Sequence, residues 1–438
     1  MGESTPAGVP TALARALADA LPAAVELRHA LHRDPRLGGD ETASREAVAA
    51  ALGRDLEPVA DTGGLLRLDP AGPSGTGGTG GTGGTGAAPA VAVRAELDAL
   101  PVVERTGLPF AATGTAAHVC GHDVHTAALV AVAAAVDAAG PDLLAAPLLA
   151  VFQPREEAAP SGAADVAAAA GFLAHAPGAM LAVHVQPELP RGVVSAHPGA
   201  ANASSDEIDI VVHGRGGHGG YPHRTRDPVL ALAAVVVALQ HVVARRVNPL
   251  EAGVVTIGQL RAGSAPNVVP ESATARGTVR ALDADRDEIL ALVREVVEHT
   301  AAAHGCTGEL AVVPNEPAVV NDDALARAVA TALERESADG VVEGVVDDTF
   351  RSCGADDFAH YGAVLPSLML FVGAGDPDAA PGSGPGLHHP EFSPDDAMVG
   401  EVARALLTAV VAAGHHLAGT TSSEPTEPPT APTHREVP

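Results

Sequence analysis

Tryptophan is absent from this 438-residue chain and aromatic residues make up only 2% of it, so Ala, Val and Leu must fill the core. A hydrophobic content of 46% in a chain of this length allows two domains and a large buried interior. Cysteine is equally scarce. The three thiols, Cys120, Cys306 and Cys353, are odd in number and widely spaced, which excludes a disulfide framework and fits a reducing compartment. Basic side chains are outnumbered, 26 Lys and Arg against 54 Asp and Glu, and the net charge of −28 argues against a nucleic-acid partner. No run approaches eighteen strongly apolar residues; a stretch such as Val229–Leu239 is too short to cross a bilayer, so no membrane partner is expected. Met1 to Pro10 lacks the basic and apolar regions of a secretory signal, and a cytoplasmic, soluble protein is expected.

What is present is concentrated in one stretch, Ala117-His118-Val119-Cys120-Gly121-His122-Asp123-Val124-His125. A thiol, imidazoles and a carboxylate fall together just ahead of an apolar run. These are the side chains that bind borderline-soft divalent metals. Gly121 permits a sharp turn that lets Cys120 and His122 face one point. A His-rich surface loop is the competing reading in a chain with twenty histidines. Two ligands do not close a metal site, so the rest of the chain must supply the others.

Helices are expected over Thr11–Leu31, stopped by Pro35, and over Glu41–Leu52. Leu65–Leu68 reads as a short strand, and residues 72–86 are a Gly/Thr repeat with the composition of a flexible loop. Ala90–Ala95 is a strand leading into Glu96-Leu97-Asp98. A helix is expected from His125 to Ala139, then the buried-type strands Pro147–Phe152 and Ala179–Val183. Strands alternating with helices, with short continuous apolar strands, indicate an α/β fold: an open sheet with helices on both faces.

From about 203 to 314 the pattern changes. Glu207–His213 alternates polar and apolar, Asp227 caps a helix to Arg246, Val254–Leu260 and Ala273–Arg280 are strands, and Arg286–His304 is a helix. The order β-α-β-β-α suits a ferredoxin-like α+β insertion. The division expected is therefore a main domain over 11–202 and 315–418, interrupted by an insertion at 203–314. Disordered tails are expected at 1–10 and 419–438.

Three strands of the main sheet end in acidic or imidazole side chains: Glu96 and Asp98, Glu156 and Glu157, and His184. In open α/β sheets ligands bind beyond the carboxyl ends of the strands, so these groups should meet near Cys120 and His122. Cys120, His122, Glu157, His184 and His388 are the candidate ligands, with His389 an alternative to His388. Five are too many for one closed zinc site and suit two ions sharing a bridging ligand. Glu156, next to a ligand but free, can act as general base. Asp98 and Asp123 are expected to orient ligands rather than bind.

At this point the chain resembles the M20 metallopeptidase family, in the amidohydrolase branch that holds N-acyl-amino-acid, hippurate and auxin-conjugate hydrolases. The resemblance is carried by Leu31–Pro35, Arg94–Pro101, His118–Asp123, Phe152–Glu157, Gly216-Gly217-His218 with Pro222-His223, Asn267–Pro270, Gly277–Arg280 and Leu387–Pro390, in order over nearly the whole chain. It implies a two-metal catalytic domain and a lid domain that also forms a homodimer. It places bridging Cys120, His122, Glu157, His184 and His388 as ligands, and Glu156 as base. It further implies that His218 stabilises the oxyanion, often across the dimer, and that Asn267 and Arg280 contact substrate. Glu96 departs from the Asp usual there. The implied reaction is metal-dependent hydrolysis of N-acyl amino acids with two divalent ions, Zn, Mn, Co or Ni. The alternatives are a dipeptidase or aminopeptidase of the same superfamily and a silent metal-binding relative.

Overall fold

The computed structural model describes residues 8–70, 87–338, 345–380 and 382–420. The Gly/Thr loop at 72–86 and most of both expected tails lie outside them.

The main sheet has eight strands, in the order Glu57–Val59, Gly63–Leu68, Leu148–Gln153, Ala90–Glu96, Pro177–Pro190, Ser367–Gly375, Val193–Ser195 and Val345–Asp347. The four central strands run parallel, and antiparallel neighbours flank them on both sides. Ala90–Glu96 and Leu148–Gln153 are buried at every position, which is why Ala90–Val93 and Leu148–Phe152 read as continuous apolar runs rather than alternating ones. Helices Thr11–Arg33, His122–Ala139, Asp323–Ala338 and Ala397–Thr420 cover one face, packed through Leu, Val and Ala. Shorter helices, with Phe172, Phe358 and Tyr361, cover the other.

A second sheet is antiparallel, in the order Gly253–Ala262, Ser272–Ala281, Ser204–His213 and Thr307–Pro314. Helices Pro228–Arg245 and Arg286–Ala303 pack together over it. Asp227 caps the first, its carboxylate accepting from Val229 N and Leu230 N. Pro228–Arg245 and Ala397–Thr420 are each long and apolar enough to cross a membrane by length and composition. That differs from the expectation drawn from Val229–Leu239, because helix length and apolar run length are different quantities. Ala397–Thr420 is a core helix, and Pro228–Arg245 buries Ala231, Leu232, Val235, Leu239 and Val242 against its sheet.

Three expectations need correction. The helix after the Cys-His stretch starts at His122, not His125, because Gly121 makes the turn immediately before it. The strand through His184 runs on to Pro190, since its partner Ser367–Gly375 continues beside it. The insertion carries a further strand, Thr307–Pro314, which closes its sheet.

Candidate active site

Gly121 has φ +96°, and a Cβ there would sit 2.4 Å from Val185 Cγ2, so only glycine fits the turn. On either side of it stand Cys120 and His122. Cys120 Sγ lies 3.3 Å from His184 Nε2. His184 Nδ1 is 2.7 Å from the Val185 carbonyl and His122 Nδ1 is 2.9 Å from the Asp98 carbonyl. Each ring therefore donates from Nδ1 and keeps its lone pair on Nε2, the arrangement of a metal-ligating histidine. His122 Nε2 is buried with no hydrogen-bond partner and lies 3.7 Å from Glu156 Oε2.

The other ligand candidates close on the same point. His388 Nε2 is 3.1 Å from Glu157 Oε1. Donor atoms of Cys120, His122 and His184 all lie within 4.8 Å of one another, as do those of Cys120, Glu157 and His388, and of His122, Glu156 and Glu157. That spacing is what donors about 2.0–2.3 Å from a common ion produce. His388 has φ +66° and its N–H donates to the Val119 carbonyl, which ties its loop to the Cys120 turn. His389 is outside the cluster, its Nδ1 accepting from Glu391 N.

The electrostatics of the cluster favour cations. Burial, reinforced by Glu157 and Glu156, pushes the Cys120 thiol well up. Burial and then Asp356 and Glu157 push the Glu156 carboxyl well up. Burial also raises Glu157, but His388 and His122 outweigh it and hold that carboxyl below its usual value. Burial, helped by His125, pushes His184 down to about 3, so its ring is neutral. A buried thiol and two carboxylates beside the neutral ring of His184 form a donor set that divalent cations neutralise. The residues present fit a metal pair.

Asp98 gives its carbonyl to His122 and its Oδ2 to the N–H of Glu157, so it touches two of the candidate ligands. Asp123 instead accepts from Arg28 Nε and pairs with His32 Nδ1. Glu96 turns away from the cluster, to Arg94 and to His125 Nδ1. Arg94 is wholly buried and binds Glu96, Asp356 and Asp357. Burial raises Asp357 to about 7.

A cavity of about 380 Å³ opens over Cys120, Glu156, Glu157, His184 and His388, and Arg280 lines it from the second sheet. Arg280 Nη1 donates to the Cys353 carbonyl. His218 and Asn267 are not at this cavity. They sit together on the second unit, where Gly219 N donates to the Asn267 carbonyl and His218 pairs with Val268 across a two-stranded ribbon. His218 is exposed. Sequence reasoning missed Gln186, Asn202, Ser352 and Asp356, which also line the cavity. None of them stands in a pattern that marks chemistry.

Residues 92–410 match the peptidase family M20/M25/M40. The N-acetyl-L-cysteine deacetylase of Bacillus subtilis (strain 168) is 31% identical over 86% of this chain and 84% of its own. The N-acetyldiaminopimelate deacetylase of Anoxybacillus flavithermus is 31% identical over 73% of this chain and 81% of its own. The crystal structure of a dinuclear metal binding peptidase of the M20 family from Bacillus subtilis superposes with a TM-score of 0.72 and 26% identity, over 90% of this chain and 98% of that one. This chain belongs to peptidase family M20/M25/M40 and is a hydrolase of amide bonds.

Proposed function

We propose that the protein hydrolyses the amide of N-acyl amino acids, releasing a carboxylic acid and a free amino acid. The observation that carries this reading is the convergence of Cys120, His122, Glu157, His184 and His388, with Glu156 beside them, in one donor cluster under a cavity that Arg280 also lines. The relatives that deacetylate N-acetylcysteine and N-acetyldiaminopimelate support the substrate class. Cys120, His122, Glu157, His184 and His388 would hold two divalent ions. When bound, these ions supply Lewis acidity, polarising the acyl carbonyl and acidifying the attacking water.

Glu156 takes the proton from that water and delivers it to the departing amine. Its raised carboxyl suits a group that must accept a proton and give it back. Arg280 pairs with the substrate carboxylate, and Asn267 contacts the substrate across the lid. His218 donates to the developing oxyanion. Since His218 and Asn267 lie away from the cavity of their own chain, they reach the site of a second copy in a homodimer formed through the second unit. That unit acts as a lid over the site. Helix Pro228–Arg245, with Leu230 and Val237 exposed, is the contact face.

The test is release of amino acid from acetyl, benzoyl, indoleacetyl and long-chain acyl amino acids, beside simple dipeptides. Chelator-stripped protein would receive Zn²⁺, Mn²⁺, Co²⁺ or Ni²⁺ separately. Metal-restored release from acyl amino acids is expected. Cleavage of dipeptides alone would replace this reading with a dipeptidase.

A further inference from the structure

Asn202 ends the strand Gly199–Asn202, which pairs with Val319–Asn321 outside the main sheet and directly precedes Ser204–His213 of the second sheet. It is 6% exposed and lines the catalytic cavity. Its Oδ1 is buried and has no hydrogen-bond partner among the described residues. The neighbouring strand provides the contrast. Asn321 is also buried, yet its Nδ2 donates to the His197 and Met369 carbonyls and its Oδ1 accepts from Met369 N. Among the described residues the fold satisfies one buried amide completely and leaves the carbonyl oxygen of the other, at the cavity wall, without a donor. An unpaired buried amide is unfavourable for folding alone and is accounted for by a ligand that completes it.

The surroundings say which part of a substrate that is. Ser352 bridges to Asn202 through the backbone, and its Oγ accepts from Gly354 N. Arg280 lies on the strand beside Ser205, three residues beyond Asn202, and among the described residues its Nη1 is engaged by the Cys353 carbonyl. Among the described residues Arg280 is the one Lys or Arg side chain at this cavity, so it takes the α-carboxylate of the amino-acid half. Asn202 then faces what projects next to that carboxylate, the amino acid's own side chain. A second carboxylate would find no second cation there and would meet Asp356, which also borders the cavity.

We infer that Asn202 is a specificity-determining residue that selects N-acyl amino acids whose side chain is an uncharged amide or hydroxyl, of the glutamine, asparagine or serine kind. This rests on the N-acyl amino acid reading above. The experiment compares kcat/KM for N-acetylglutamine, N-acetylserine, N-acetylglutamate, N-acetyllysine and N-acetylleucine in wild type, Asn202→Leu and Asn202→Asp, all metal-loaded. Wild type is expected to prefer the glutamine and serine substrates over leucine and glutamate. Asn202→Leu should lower kcat/KM for those two by about tenfold or more, with leucine unchanged or improved, because a site built to hydrogen-bond rejects a substrate it cannot pair with.

Asn202→Asp keeps the shape but presents only acceptors, so it should shift preference toward N-acetyllysine. It also keeps the test open if the leucine variant folds poorly. Hydrolysis of N-acyl amino acids with leucine preferred by wild type, or an equal fall for every substrate in both variants, overturns the role of Asn202 alone. No hydrolysis of any N-acyl amino acid by wild type overturns the proposed reaction itself.

Discussion

Glu156 and Glu157 are adjacent in sequence and opposite in electrostatic fate. Burial acts on both, but Glu157 is drawn down by His388 and His122, whereas Glu156 is pushed up further by Asp356 and Glu157. One is therefore suited to hold a cation and the other to carry a proton. Glu156→Gln should keep its metal content while turnover falls by about 10²–10⁴-fold; metal analysis beside steady-state kinetics reads both, and near-normal turnover would remove Glu156 as base. A second residue-scale test lies at His32, buried between Asp123 at 2.9 Å and Glu104 at 3.1 Å. Burial alone would lower its pKa, but the hydrogen bonds it donates to Asp123 and then Glu104, with their negative charges, outweigh burial and raise it above 6.5. A histidine raised in the folded state contributes stability that is complete below the unfolded value and is lost as pH rises through the folded one. The gap in Tm between wild type and His32→Asn should thus be widest below pH 6.5 and narrow on the alkaline side; a gap independent of pH would show that His32 is neutral. At this scale the sequence was most informative where a residue's chemistry is rare. Cys120, His122, Glu157, His184 and His388 stand out by type and by place at strand ends or in motifs. Asn202 does not, because an amide side chain advertises nothing until its missing partners can be counted.

Arg94 shows how an element is held as well as positioned. It lies in the central strand Ala90–Glu96 and binds Asp356, Asp357 and Glu96, with Gln153 accepting from its Nε at 3.1 Å. Gln153 in turn binds Asp357 and accepts from the Tyr361 hydroxyl at 3.0 Å. The network joins the strand that leads to Asp98, the strand that leads to Glu156, and the loop carrying Asp356, so three sides of the site share one buried cation. Arg94→Met should leave buried carboxylates without their counter-charge and lower stability by about 3–5 kcal/mol, read by denaturant unfolding. A loss below about 1 kcal/mol would mean that the carboxylates are protonated in the fold. The strands of this platform were legible because both their faces are covered, which leaves four to seven apolar residues in a row. The pairs Val193–Ser195 with Val345–Asp347 and Gly199–Asn202 with Val319–Asn321 were not. At three or four residues a strand shows no period, and pairing partners distant in the chain decide its existence. The same reason hid the continuation of Pro177–Pro190 past His184, which depends on its neighbour Ser367–Gly375 rather than on its own residues.

Across the whole molecule, a net charge of −28 means that two copies repel wherever they meet, unless the meeting face is poor in acid. Helix Pro228–Arg245 contains no Asp or Glu and exposes Leu230 at 60% and Val237 at 74%. Its inward face is already committed to the sheet below, so the outward stripe is free to pack on a second chain. The ribbon bearing His218 belongs to the same unit, and among the described residues no histidine of that unit lines the cavity. A dimer through this helix would meet both requirements, since it buries the stripe and carries His218 toward a second site. Val237→Arg should then convert the protein to monomer in light scattering and lower kcat by about 10²-fold or more through loss of the oxyanion donor. Its Tm at dilutions where both proteins are monomeric should change little, because the position is exposed within one chain. Raising ionic strength should favour the wild-type dimer by screening the repulsion between acidic chains, over a Debye length of about 8–10 Å. A Val237→Arg monomer with full activity would show that His218 serves its own chain by movement of the lid. An unchanged dimer would place the interface on another face of the molecule.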